Sequence, residues 1–204
     1  MKKLFTSNVF FVLTVVLSVL CMAVYFPLTL IASPESYVHA ATCLFAAVCC
    51  IALYASYLRH NKNVMKGLMG AILTALLFIA LPLVKPSFGA GRMLCSVFAL
   101  ALSVCLFLNH FLINESRASN PFNVGINRVL CLVIAVLLLV FDLCGLPSAE
   151  SSMEKVALIL HGVGFAAIMA SIVCVESRLD TYREDRENAG WTEEKGYPKD
   201  YKRK

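Results

Sequence analysis

Charge is what this chain has least of. Its 204 residues include 18 Lys and Arg and 13 Asp and Glu, which is 15% charged against 59% hydrophobic, with a mean hydropathy of +0.76. A soluble domain carries about 25% charged residues, so the soluble class is excluded. The signatures of several enzyme classes are also missing. There is no Gly-rich phosphate loop, no H-E-x-x-H, no G-x-S-x-G and no pair of aspartates within apolar sequence. Ser96 or Ser103 with His161 would supply the residue types of a membrane serine protease, but no spacing favours that pairing. No C-x-x-C spacing exists, and the adjacent Cys49 and Cys50 would point about 100° apart on a helix, which argues against a membrane disulfide exchanger.

What the chain does have is long apolar runs. Six are legible: Val9 to Ala32, Tyr37 to Leu58, Met65 to Val84, Met93 to Ile113, Val129 to Leu146 and Val156 to Val175. Each approaches the roughly 20 residues that cross a hydrocarbon core of about 30 Å at 1.5 Å per residue. The runs are continuously apolar, whereas barrel strands alternate over about 10 residues, so helices are expected. The fold class is therefore all-α: a polytopic bundle of six transmembrane helices over residues 1–177, followed by a charged tail over 178–204. Short connections make consecutive helices antiparallel neighbours.

Basic residues set the expected orientation. With the amino terminus inside, Lys2, Lys3, Arg59, Lys62, Lys66, Arg117, Arg128, Arg178, Arg183, Arg186, Lys195, Lys199, Lys202, Arg203 and Lys204 are cytoplasmic. Only Lys85, Arg92 and Lys155 fall on the other side. Both termini are thus expected in the cytoplasm, with the protein in the plasma membrane. A cleaved signal peptide ending near Ala32 is the rival reading. The run from Val9 exceeds the usual signal core of about 7 to 15 residues, which favours a retained first helix.

Asn8-Val9 precedes Pro27-Leu28 by the interval that separates Asn63-Val64 from Pro82-Leu83, and Asn123-Val124 leads more loosely to Pro147. Three repeated hairpins would produce this pattern, as would ordinary helix starts and ends. Pro27 is expected to kink or end the first helix, because it lacks a backbone donor and crowds the carbonyl four residues earlier.

Asp142 is the one acid inside the six runs, and an ionised carboxylate costs at least about 2.5 kcal/mol at a bilayer centre. It lies five residues before Pro147, and His161 lies five residues after Val156, so both fall roughly 7 Å below the same interface. His39 starts the second run on that side and Lys85 ends the third. Asp142, His161 and His39 are therefore the candidate site for a solute, an ion or a proton. The plain alternative is a hydrogen-bonded pair that only locks the last two helices. Three ligands without a spacing motif do not designate a metal, and no cofactor is expected. On the cytoplasmic side, Asn109, His110 and His60 are expected to cap helices or meet headgroups.

The nine cysteines all fall within the apolar runs and read as small packing residues. Small residues also form stripes that predict close helix contacts: Gly162, Ala166, Ala170 and Cys174 on the sixth helix, Gly67, Ala71 and Ala75 on the third, and Thr42, Ala46 and Cys50 on the second. After Val175 the composition turns charged. Helix is expected to continue to about Asn188, and the end, with Lys195, Lys199, Lys202, Arg203 and Lys204 around Tyr197 and Tyr201, reads as a surface for anionic lipid. Nucleic acid is not an expected partner, since no recognition module accompanies the charges. A transport component, alone as a homo-oligomer or beside a partner membrane subunit, is the leading expectation. The alternatives are an assembly or regulatory protein acting through its tail, and an intramembrane enzyme.

Overall fold

The computed structural model describes residues 2–32, 36–59, 61–84, 89–113 and 121–188. After a one-turn helix, Lys2–Phe5, six long helices follow: α1 (Asn8–Ala32), α2 (Tyr37–Leu58), α3 (Lys62–Leu83), α4 (Ala90–Leu108), α5 (Pro121–Gly145) and α6 (Ser152–Asn188). A π-helical turn, Asn109–Ile113, extends α4, and a 3-10 turn, Leu146–Ser148, closes α5. All six are long and apolar enough to cross a membrane, which makes this a multi-pass membrane protein.

Local chemistry fixes several boundaries. The Asn61 side chain accepts from the Val64 amide at 3.3 Å and starts α3 three residues before the apolar run. Pro121 opens α5, where a missing amide hydrogen is harmless. At α6 the Glu154 amide donates to Ser151 Oγ (3.1 Å) while Glu154 Oε2 accepts from the Ser151 amide (3.4 Å), a reciprocal capping box. Of the two expectations for Pro27, a kink or an end, the end is corrected, because α1 runs on to Ala32 with the proline inside it. The Thr29 hydroxyl donates to the Tyr25 carbonyl (2.8 Å) in the turn spanning the proline, adding a local tie. Helix α6 continues to Asn188. Its 37 residues span about 55 Å, well beyond a hydrocarbon core.

Each helix packs on its neighbours in the chain, and α6 closes the ring by seating between α1 and α5 while also reaching α2. It is the most buried of the six spans, and α4 the least. Small residues make the close seams. A Cβ on Gly162 would lie 2.8 Å from Asp142 Oδ2 and 3.1 Å from Leu139 Cδ2 on α5. One on Gly164 would lie 2.9 Å from Cys21 Cβ and 2.8 Å from Met22 Cε on α1. Of the expected stripe on α6, Gly162 and Cys174 are buried while Ala166 and Ala170 are half-buried. On α3 the stripe is corrected at one end. Ala75 is buried and Ala71 half-buried, but Gly67 is exposed and a Cβ there would meet nothing within 4 Å. A drift of 40° per four residues carries Gly67 off the seam. Gly70 takes the close contact instead, against the Phe111 ring of the π turn.

Lys85, His60 and the tail positions Lys195, Lys199, Lys202, Arg203 and Lys204 lie outside the described residues.

Candidate functional site

The helix ends opposite the termini, the distal end, enclose a cavity of about 600 Å³. Tyr25 and Thr29 of α1, His39 and Thr42 of α2, Pro82 of α3, Arg92 of α4, Asp142 of α5 and Glu154 and His161 of α6 are among its lining residues, so all six helices contribute.

A polar chain forms its wall. His161 Nδ1 lies 2.9 Å from Asp142 Oδ2, and both residues are 3% exposed. A carboxylate only accepts, so the imidazole donates from Nδ1 and turns Nε2 away from the acid. That Nε2 faces His39 Nε2 at 3.3 Å. Asp142, His161 and His39 are thus linked in series, from a buried acid through one ring to a half-buried second ring beside the cavity.

The surroundings hold this chain in register. The His161 ring lies 5.2 Å from the Tyr25 ring and 5.7 Å from that of Phe165, and the Tyr25 and His39 rings are 6.3 Å apart. Gly162, next to His161, leaves room for the Asp142 carboxylate against α6, where any Cβ would collide with it. Asp142 Oδ1 is buried and has no hydrogen-bond partner among the described residues. An acceptor left in that state costs about 1 to 3 kcal/mol or more.

Two further groups join the sequence-derived trio. Cys43 sits one helical turn from His39 on α2, and its Sγ, a nitrogen of His39 and a nitrogen of His161 all lie within 4.8 Å of one another. Arg92 lines the cavity from α4: its guanidinium carbon is 5.0 Å from the centre of the Phe141 ring and Nη1 donates to Ser148 Oγ at 3.3 Å. The sequence does hold a signal for Cys43, the i, i+4 spacing of His39 and Cys43 on one helix face, but among nine cysteines it reads as packing. Arg92 reads only as a topology charge. Ser96 and Ser103 donate to carbonyls of their own helix, those of Arg92 (2.8 Å) and Ala99 (2.6 Å), which leaves neither hydroxyl proton directed at His161.

A second buried polar group lies toward the termini. The Asn109 amide donates to Asn127 Oδ1, and Asn127 Nδ2 donates to Glu176 Oε1 at 3.5 Å. Of the two roles expected of Asn109, it takes the cap of α4 and not the headgroup contact, being buried, and Glu176 joins Asp142 as a second buried acid. Arg178 donates to Tyr57 Oη (2.5 Å) and to the Thr6 carbonyl (2.9 Å), with its guanidinium 4.7 Å from the Tyr57 ring centre. Both contacts tie α6 to the chain start and α2.

No family model, no curated protein and no solved structure matches this chain.

Proposed function

We propose that this protein is a transport component of the plasma membrane that admits a small polar solute or ion through the distal cavity to Asp142, His161 and His39. The observation that carries this reading is the series from buried Asp142 and His161 to half-buried His39, opening on a cavity of about 600 Å³. A cavity between about 300 and 1,000 Å³ suits a small ligand. Ionisable groups inside a span are expensive, and they commonly mark substrate or proton pathways. Two imidazoles in series with a carboxylate can hand on a proton or hold a cation, as each ring nitrogen donates or accepts according to its protonation.

The orientation in this reading is with both termini cytoplasmic, from the distribution of the basic residues, so the cavity faces outward. The tail residues Lys195, Lys199, Lys202, Arg203 and Lys204 meet anionic lipid. A ring of six helices is a thin wall, and the largely exposed α4 offers a face for a second copy or a partner subunit.

The test is flux across proteoliposomes, followed for protons, alkali cations and divalent transition-metal ions. Asp142→Asn and His161→Ala are each expected to lower flux at least tenfold while the amount of inserted protein is retained. Flux and inserted protein falling in equal proportion would assign the pair to helix locking and overturn the proposal.

A further inference from the structure

The two Nε2 atoms of His39 and His161 face one another at 3.3 Å. That is longer than the roughly 2.9 to 3.0 Å typical of an N–H donor bond. It equals, within about 0.1 Å, the edge between two nitrogens of a tetrahedral site with metal–nitrogen bonds of about 2.0 to 2.1 Å. Cys43 Sγ is the third donor, within 4.8 Å of a nitrogen of each ring. A bound nitrogen and sulfur stand about 3.6 Å apart, so the donors must draw together by up to about 1.2 Å on binding.

We infer that His39, Cys43 and His161 bind a zinc-type divalent transition-metal ion, which is the cargo of the distal cavity. The ion's role as cargo rests on the transport reading above, whereas its binding rests on the geometry alone.

Four observations converge on this class of ion. The donor set is two imidazoles and one thiol, which suits a borderline metal, while magnesium and calcium take oxygen ligands. Asp142 holds His161 Nδ1 from behind at 2.9 Å, the arrangement that fixes a metal-binding imidazole with Nε2 toward the ion. Charge closes as well: on binding, the Cys43 thiol loses its proton to solvent and becomes a thiolate, and with the Asp142 carboxylate it balances the two positive charges. A neutral assembly is what a buried, low-dielectric site requires. Finally, three protein ligands leave the fourth tetrahedral position free, as a site that must take up and release an ion needs. His39 lines the cavity, so this position has a route to it.

The experiment uses the full chain purified in detergent, with cobalt(II) as a spectroscopic probe for zinc. One equivalent is expected to bind, with tetrahedral d–d bands and a near-ultraviolet thiolate-to-metal charge-transfer band that stoichiometric zinc removes. Cys43→Ser is expected to abolish the charge-transfer band and to weaken zinc binding at least tenfold. Asp142→Asn should weaken it about 10- to 100-fold. The double variant Cys105→Ser/Cys144→Ser, which removes two exposed cysteines of α4 and α5, should retain the band. A charge-transfer band that survives Cys43→Ser, binding of cuprous ion with no cobalt or zinc, or no stoichiometric binding would each overturn the inference. Zinc binding without zinc flux in proteoliposomes would keep the site and remove the transport role. Proton or alkali-cation flux without zinc binding would do the reverse.

Discussion

Gly162 and Asp142 depend on each other at the scale of single atoms. A methyl at position 162 would stand 2.8 Å from Asp142 Oδ2, so Gly162→Ala must push the carboxylate away from His161. Overpacking of this kind costs about 1 to 3 kcal/mol, and a lower melting temperature in detergent is the expected readout. Gly67→Ala is the matched control: it meets open space and is expected to leave the melting temperature unchanged or slightly raised, since alanine is the better helix former. Gly164→Ala should destabilise more than Gly70→Ala. The first meets Cys21 Cβ, which moves only with the α1 backbone, and the second meets the outer edge of the Phe111 ring, which can turn aside. Asp142 and His161 were legible in the sequence because ionisable residues are so rare in the apolar runs, and because equal distances from one turn fix equal depth. Cys43 and Tyr25 were not. A thiol and a phenol are ordinary occupants of an apolar helix, and only their rotation about the helix axis shows what they face.

At the scale of helices, existence was easier to read than ends. Apolar length identified all six spans, yet α3, α4 and α5 each begin before their apolar run, where Asn61, Gly89 and Pro121 shape the start. The π turn at Asn109–Ile113 was illegible, because one extra residue in a turn leaves the hydropathy pattern intact. Glu176 lies just past the sixth apolar run, where the composition turns charged, yet it is buried beside Asn127. Asn127→Leu removes the side chain bonded to both Asn109 and Glu176. A loss of about 1 to 3 kcal/mol is expected, read as a lower melting temperature, and a neutral result would mean that this buried polar set adds nothing to stability. Ser151→Ala takes away one half of the capping box on α6, for an expected loss of about 0.5 to 2 kcal/mol by the same measurement.

For the whole molecule, the ring of neighbouring helices follows from short connections, whereas the deep burial of α6 does not. Its composition is less apolar overall than that of the other helices, since the charged extension dilutes it, and only the packed structure shows that its apolar half is the pillar. The proposed orientation makes a direct prediction: Ala149→Cys should react with an impermeant thiol reagent added outside intact cells, and Lys199→Cys only after permeabilisation. A chain ended after Asn188 should keep its flux, because the cavity and the contacts of Arg178 precede that point. The order in which the ribosome delivers these helices carries a further consequence. The helix that lies between α1 and α5 and brings His161 to both His39 and Asp142 is made after the other five. Until then the first five wait in the bilayer with a buried acid and an open seam, so their survival during synthesis rests on lipid, on the insertion machinery or on another chain. A nascent protein stalled before residue 161 should therefore be a quality-control substrate, and completion of α6 the moment at which it escapes degradation.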